Sequence, residues 1–350
     1  MEEAKKELSP KSKVFYSSLI IIQCLIFGFS FIAVRNLLDI GMPPFLIIAI
    51  RFGIGALFLL ALSRLFNLIP KVVEKIGKNK KFTKRELICG LIAGGIMFGA
   101  FALQTVGAQT TTPARNGLFT DLFVIFVPIF SMVVVKKFKW KPLALAGLAF
   151  VGVMIIINIF GEQITFGVGD VLSIIGGALF AVHFIALEKF SLNVEEGKRL
   201  NPYNFTVIQL LVVAVLGIIL SLSLELREFA SFNWVQAIGW LVFLGIVSSA
   251  IAFLLQFLAQ EKISADTTAI LSCSESVFVL IFAVALGFDI LTWYFGIGAV
   301  LLITAMVLSS INFKKKKVVA DNVISDETTL DEQAEEHPKE KIKEGDNTNE

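Results

Sequence analysis

The chain has 350 residues, of which 56% are hydrophobic and 17% are charged, and its net charge is +2 at neutral pH. A soluble globular domain carries about 25% charged residues and has shorter apolar runs. The composition therefore excludes a water-soluble domain and indicates an integral membrane protein with many helices.

Ten apolar segments are each long enough to cross a membrane, since a transmembrane helix needs about 20 mostly apolar residues. The first has basic residues before it, but its apolar stretch is too long for a signal peptide, so it is expected to remain as a helix. In chain order the predicted spans are 16–37, 43–63, 86–108, 114–135, 142–160, 170–190, 203–224, 235–259, 265–287 and 292–312.

The two ends of the chain are polar. Residues 1–15 are predicted to form a cytoplasmic segment, and residues 314–350 a basic and then acidic cytoplasmic tail. Within that tail, residues 318–350 hold eleven acidic and three basic residues and almost no aromatic ones. Because such a segment buries too little apolar surface to fold, the tail is predicted to be disordered and solvated.

Lys and Arg residues are distributed unevenly between alternate loops. If the N-terminus is inside, 24 basic residues up to Lys317 fall in the inner segments and only three, Arg35, Arg115 and Arg227, in the outer ones. Positively charged loops stay on the cytoplasmic side of a membrane. Ten spans with both termini in the cytoplasm are therefore predicted, in the inner or plasma membrane.

Residues 101–132 are echoed by residues 253–283: each has an apolar helix with a Gln, a short polar turn, and a second helix that starts at Ala114 or Ala265. This echo predicts two five-helix repeats, 16–160 and 161–313. Because five is odd, the second repeat enters the membrane from the opposite side. The predicted fold is an all-α integral membrane protein with ten transmembrane helices in two inverted repeats, an arrangement typical of transporters that open alternately about a midplane site.

Short motifs follow one another in a fixed order along the predicted helices. They are Phe27-Gly28 followed by Ser30, Phe31 and Arg35; Pro43 or Pro44 with Arg51; Pro128; Phe180-Ala181; Ala265 with Glu275; and Asp289. The ordered set resembles the drug/metabolite transporter superfamily, specifically the EamA-type ten-helix exporters, over about residues 16 to 312. Ser276 stands where that family has a proline. The resemblance implies alternating-access export of amino acids or related metabolites; the residues alone leave amino acids, nucleosides and cationic drugs open.

Glu275 lies about ten residues into the ninth predicted helix, which places it near the bilayer midplane. An ionisable side chain at that depth faces the bundle interior or a water-filled cavity and is a functional-site hypothesis by default. Glu275 is interpreted as a proton-coupling carboxylate, or as a structural carboxyl group held by Ser272, Ser274, Ser276 or helix-end N–H groups. Ser272 is itself a candidate, as the counterpart of Asp121 in the second repeat.

A polar stripe is predicted on the otherwise apolar fourth helix, where Asn116, Thr120 and Asp121 follow helical spacing. Such a stripe lines a cavity and contacts substrate, or it pairs internally. In the second interpretation Asp121 forms an ion pair with Arg115 or Arg51.

Four further polar residues lie inside predicted spans. Arg51 either binds a substrate carboxylate or belongs to a structural ion pair. His183 either relays protons or is a neutral, hydrogen-bonded packing residue. Gln104 and Gln256 either contact substrate or bridge helices.

Several other chemistries have no motif in the sequence. There is no G-x-x-x-x-G-K-[ST], HExxH or paired Cys-x-x-Cys pattern, so neither ATP-driven transport nor metalloenzyme chemistry is indicated. No cofactor, metal or nucleic acid is expected; the partners are a small-molecule substrate, the lipid bilayer and a coupling proton, and the oligomeric state is left open. Two alternatives stand beside an exporter: a non-transporting scaffold or sensor that acts through the acidic tail, and facilitated diffusion without ion coupling.

Overall fold

The structure is a computed structural model that describes residues 9–66, 82–136, 138, 140–156, 166–191, 199–229, 232–286 and 293–310. Throughout these ranges the secondary structure is helical, with turns and short connections between the helices. The predicted tail at 314–350 and most of the segment at 1–15 lie outside the described residues.

Thirteen α-helices make up the described part of the chain. They are α1 Pro10–Asp39, α2 Pro44–Phe66, α3 Lys84–Gly107, α4 Pro113–Thr120, α5 Phe123–Val135, α6 Trp140–Ile156, α7 Val168–Ser191, α8 Pro202–Leu224, α9 Trp234–Val242, α10 Ala252–Gln260, α11 Ala265–Ser272, α12 Ser274–Ala285 and α13 Trp293–Ser310. A 3₁₀ turn, Leu226–Glu228, follows α8, and a π-helix, Phe243–Ile251, joins α9 to α10.

These helices form the ten predicted spans. Eight helical stretches are long and apolar enough to cross a membrane, with α4–α5, α9–α10 and α11–α12 each acting as one crossing. The other two spans, α6 and α13, are shorter apolar helices that border residues outside the described ranges. The prediction of an all-helical multi-pass membrane protein is confirmed.

The inverted relation of the repeats is visible along α7. Near the start of α7, Asp170 accepts hydrogen bonds from Thr111 and Arg115 at the start of α4. Near its end, Glu188 accepts a hydrogen bond from the backbone N–H of Ala265, the first residue of α11. These contacts lie about 27 Å apart along the helix axis, so the equivalent helices α4 and α11 begin at opposite faces of the bundle.

Two further carboxylates hold the starts of other helices. Glu225 accepts hydrogen bonds from the N–H groups of Phe45 and Leu46, each 2.9 Å long, in the first turn of α2. Glu86 accepts one of 3.0 Å from the N–H of Asn201, which caps α8. Negative charge at a helix N-terminus satisfies free N–H groups and interacts favourably with the helix dipole. The acids at the span ends therefore connect one helix to another.

The fourth and ninth spans are not the uninterrupted helices that the sequence predicts. Each breaks after a first helix of eight residues, α4 or α11. At the first break, Val124 N–H bonds to Asp121 O, and at 2.9 Å this i+3 bond tightens the chain into a 3₁₀-type turn. Both first helices begin with a side-chain cap, Thr112 in α4 and Ser264 in α11. The break is thus a feature that both repeats share.

The fifth and tenth spans are packed backbone to backbone. A Cβ atom added to Gly152 of α6 would lie 2.8 Å from Gly298 O of α13, and one added to Gly298 would lie 2.5 Å from Gly152 O. Real Cβ atoms do not approach carbonyl oxygens so closely. This reciprocal contact requires glycine on both helices.

We expect Gly152→Ala to lower the thermal unfolding temperature of the detergent-purified protein, because the new methyl group forces the helices apart at a cost of about 1–3 kcal/mol. Gly147→Ala is the matched control, since it lies on the same helix and its Cβ would meet nothing within 4 Å. Equal unfolding temperatures for the two variants would contradict the packing described.

Candidate functional site

A cavity lies between the two repeats. It contains about 790 Å³ of space not filled by atoms, part of which is continuous with solvent. Its walls come from α1 to α5 of the first repeat and from α7, α10, α11 and α12 of the second. The lining residues are Gln23, Phe27, Ser30, Phe31, Val34, Arg35, Arg51, Phe101, Gln104, Thr105, Ala108, Pro113, Asn116, Thr120, Phe123, Phe180, His183, Phe184, Phe253, Gln256, Ser272 and Glu275.

The mouth of the cavity lies at the end of the bundle where α4 begins. Arg35, Ala108 and Pro113 belong to the lining there. The Arg35 side chain is 40% exposed and forms a salt bridge with Asp39 on the same helix. The cavity is therefore accessible from the face that carries the turn between α3 and α4.

A chain of amide hydrogen bonds crosses the opposite end of the cavity. Gln23 of α1 donates to Gln256 of α10, and Gln256 donates to Gln260, each over 3.2 Å. Gln260 in turn donates to the carbonyl oxygen of Phe184 on α7 over 3.3 Å. These bonds join spans one, eight and six across the end of the cavity opposite its mouth.

Glu275 faces the cavity from the first turn of α12. Its side chain is half-buried, and within the described residues it makes no hydrogen bond. The neighbouring serines do not hold it, as one interpretation proposed: Ser276 donates instead to Asp121, and the buried hydroxyls of Ser272 and Ser274 have no partner in the described part of the chain. Glu275 is thus a carboxylate available to a ligand.

Arg51 reaches the cavity from α2 although only 2% of the residue is exposed. It donates to Ser248 over 2.9 Å and to Ser249 over 3.3 Å. Its guanidinium carbon also lies 4.9 Å from the ring centre of Phe52 and 5.1 Å from that of Phe101, positions that favour cation–π attraction. Neutral groups hold Arg51, so the predicted ion pair with Asp121 is not formed.

The π-helix explains how two consecutive serines reach one guanidinium. Ser248 and Ser249 lie within the segment Phe243–Ile251, where the wider turn changes the angle between neighbouring side chains. Gly245 permits the close approach, because a Cβ there would lie 2.5 Å from the Ile54 side chain.

The three residues of the predicted polar stripe on the fourth span do not share one environment. Asn116 donates to Gln104 O over 2.9 Å and Thr120 accepts from the Gln104 side chain over 3.2 Å, and all three residues line the cavity. Asp121 is 2% exposed, lies outside the lining and accepts a hydrogen bond from Ser276. Arg115 does not pair with Asp121 as one interpretation predicted, because its ion pair, 2.6 Å long, is with Asp170.

His183 borders the cavity and is completely buried. Its Nε2 atom lies 3.4 Å from Gln209 Oε1 on α8, and its Nδ1 atom has no hydrogen-bond partner among the described residues. The interpretation of His183 as a hydrogen-bonded packing residue therefore fits Nε2 and not Nδ1.

Sequence reasoning missed two parts of the site. Asp170 was not among the candidates, although its place at the outer end of a predicted span, the same end as Arg115, was a signal for an ion pair. The phenylalanines of the cavity wall were not among the candidate site residues either. The periodicity of the sequence did not distinguish cavity-lining from lipid-facing Phe residues. Phe101 is an example of the first kind, since its ring centre lies 5.0 Å from that of Phe180 in the other repeat.

Comparisons with known proteins agree with this architecture. The model of the EamA-like transporter family matches the chain twice, over residues 14–158 and 167–311. An uncharacterized transporter of Archaeoglobus fulgidus is 25% identical over 307 residues, covering 85% of this chain and 87% of that protein. The uncharacterized transporter YoaV of Bacillus subtilis is 23% identical over 306 residues, covering 85% and 98%.

A solved structure, described only as the crystal structure of a protein, shares the fold. Its TM-score is 0.65 at 17% sequence identity, over 86% of this chain and 97% of that chain. The two family matches together cover most of the sequence. The structure agrees with them, because it has two repeats around a cavity. The chain belongs to the EamA-like transporter family, within the drug/metabolite transporter superfamily.

Proposed function

We propose that the protein exports small zwitterionic metabolites, with amino acids as the leading class, by alternating access. One observation carries this proposal: Arg51 from the first repeat and Glu275 from the second line the same cavity. A guanidinium has five N–H donors, and Arg51 uses two of them on serines. The others are available to a carboxylate, while Glu275 accepts an ammonium group.

The walls favour a substrate with an apolar body. Seven phenylalanines face the cavity, and the polar groups among them come from separate helices. Ligand sites commonly combine an apolar wall with a few polar groups that fix orientation. Gln104, Asn116 and Thr120 supply such groups from the first repeat, and Gln256 and Ser272 from the second. A side chain of medium or large apolar surface fits this lining better than a nucleoside with its many hydroxyl groups.

Exchange with a proton follows from Glu275 being the one carboxylate among the residues that line the cavity. Glu275 holds an ammonium group or a proton but not both, so protonation from one face displaces substrate at that face. The same residue therefore binds substrate and couples its movement to an inward proton gradient. The cavity wall supports this role over that of a scaffold, which has no need of a carboxylate and a guanidinium facing the same space.

Glu275→Gln and Arg51→Lys are expected to reduce amino-acid export by about tenfold to a hundredfold, since each removes charged hydrogen bonds to the substrate. The readout is mass spectrometry of the medium from cells that express each variant at equal membrane levels. Glu228→Gln and Arg227→Lys are the matched controls, because both residues are exposed. Wild-type export by both cavity variants would refute the zwitterion site.

Proton exchange is tested with everted membrane vesicles. Substrate uptake driven by an acidic interior is expected to disappear when nigericin collapses the pH gradient. Undiminished uptake after nigericin would leave facilitated diffusion as the mechanism.

Cytoplasmic termini place the open mouth outside the cell. A cysteine at Gln109, in the exposed turn between α3 and α4, is then expected to react with an impermeant maleimide on intact cells. A cysteine at Lys262, between α10 and α11, is expected to react only after permeabilisation. The native cysteines Cys24, Cys89 and Cys273 are buried and give a low background. The reverse labelling pattern would overturn the orientation.

A further inference from the structure

A second polar cluster lies beside the cavity, where the two broken helices meet. Asp121 at the end of α4 accepts a hydrogen bond from Ser276 in the first turn of α12. Asp121 is buried and does not line the cavity. It is a carboxylate inside the bundle that the proposed zwitterion site does not use.

Charge around this cluster is unbalanced. Below the mouth of the cavity, the described charged residues of the wall and its immediate surroundings are Arg51, Asp121 and Glu275. They carry one positive and two negative charges when ionised, and a zwitterion adds no net charge. An uncompensated charge inside a membrane protein is costly, and one bound cation would balance the remaining negative charge.

Unused oxygen atoms indicate which cation fits. Ser272 and Ser274 are 1% and 6% exposed, and their hydroxyls have no hydrogen-bond partner within the described residues. Ser272 ends α11 and Ser276 lies in the first turn of α12, so the two serines flank the break in the ninth span. A buried hydroxyl without a partner costs about 1–3 kcal/mol. A proton on Asp121 leaves such oxygens unused, whereas a metal cation binds several at once.

The break in the ninth span also leaves backbone carbonyl oxygens that have only a weak hydrogen-bond donor. The carbonyl oxygens of Leu271 and Ser272 lie 3.8 and 3.7 Å from Cys24 Sγ, a weak donor. Interrupted helices in transporters coordinate Na⁺ through carbonyl oxygens of this kind. Across the described ranges no three His, Cys, Asp or Glu side chains gather as a metal-binding group, so the donors suit an alkali cation better than a transition metal.

We propose that Asp121, Ser272 and Ser276 form a binding site for one Na⁺ ion at the crossing of the broken helices, beside the substrate cavity. Ser272 also belongs to the cavity wall, which gives the ion a path from solvent. The site goes beyond the proposed transport function, and its occupancy is measurable without knowledge of the substrate.

The primary test is ²²Na⁺ binding to the purified full-length protein by scintillation proximity. We expect one ion per chain, displaced by unlabelled Na⁺ and not by K⁺ or choline. Asp121→Asn is expected to abolish binding, and Ser272→Ala and Ser276→Ala to weaken it roughly tenfold or more. Ser223→Ala is the matched control, because that exposed serine donates to its own helix at Ile219 O; it should bind Na⁺ as the wild type does.

Thermal unfolding provides a second readout that does not depend on any one variant. Na⁺ is expected to raise the unfolding temperature of the wild type and of Ser223→Ala with the logarithm of its concentration, and to have less effect on Ser272→Ala. If Asp121→Asn does not fold, the comparison of Ser272→Ala with Ser223→Ala decides. The proposal is overturned by ²²Na⁺ binding no higher than the choline background, by equal binding in Ser272→Ala and the wild type, or by stabilisation that acid produces and Na⁺ does not.

Discussion

A charged side chain inside a lipid-surrounded bundle must find its partner within the protein, because hydrocarbon offers neither water nor counter-charge. The rest of the structure follows from how this constraint is met. Near the span ends, Asp170, Glu188 and Glu225 each bind the start of another helix. Deeper in the bundle the charges of Arg51 and Glu275 face a shared cavity instead. The positions of the charges thus separate the parts that hold the bundle together from the part that is available to a ligand.

Helix interruptions are what bring polar groups to that depth. The breaks at Asp121 and Cys273 occur after equal lengths of helix in the two repeats, so the carboxylates of Asp121 and Glu275 lie beside helix ends rather than in regular helix. The π-helix acts similarly on the opposite wall by presenting two serines to Arg51. Each irregular segment faces protein or cavity, the only environments in which such a segment is tolerated at membrane depth.

Much of this architecture was predictable, because hydropathy and charge act along single segments. The length of the apolar segments was enough to predict the ten spans. An odd number of helices per repeat and one sequence echo were enough to predict that the repeats are inverted. Eight of the nine candidate residues line the cavity, since polar side chains in apolar helices avoid lipid. Asp121 differs because the direction of a side chain next to a break depends on that break. The helix breaks at Asp121–Leu122 and at Cys273 contain no Gly or Pro residue. The sequence of the π-helix likewise has an ordinary apolar pattern. The partners of Arg51 depend on the register between two helices, which local sequence does not encode.

The glutamine chain at the end of the cavity opposite its mouth has a consequence for energetics. Gln23, Gln256 and Gln260 are uncharged, and hydrogen bonds between membrane helices contribute about 0.6 kcal/mol each on average. In the alternating-access cycle proposed above, breaking these three bonds to open that end costs about 2 kcal/mol in all. A ligand then needs only a modest difference in affinity between the two states to shift their populations. In that proposed cycle the glutamine chain is a barrier weak enough for substrate binding to overcome, whereas a buried ion pair would hold the protein in one state.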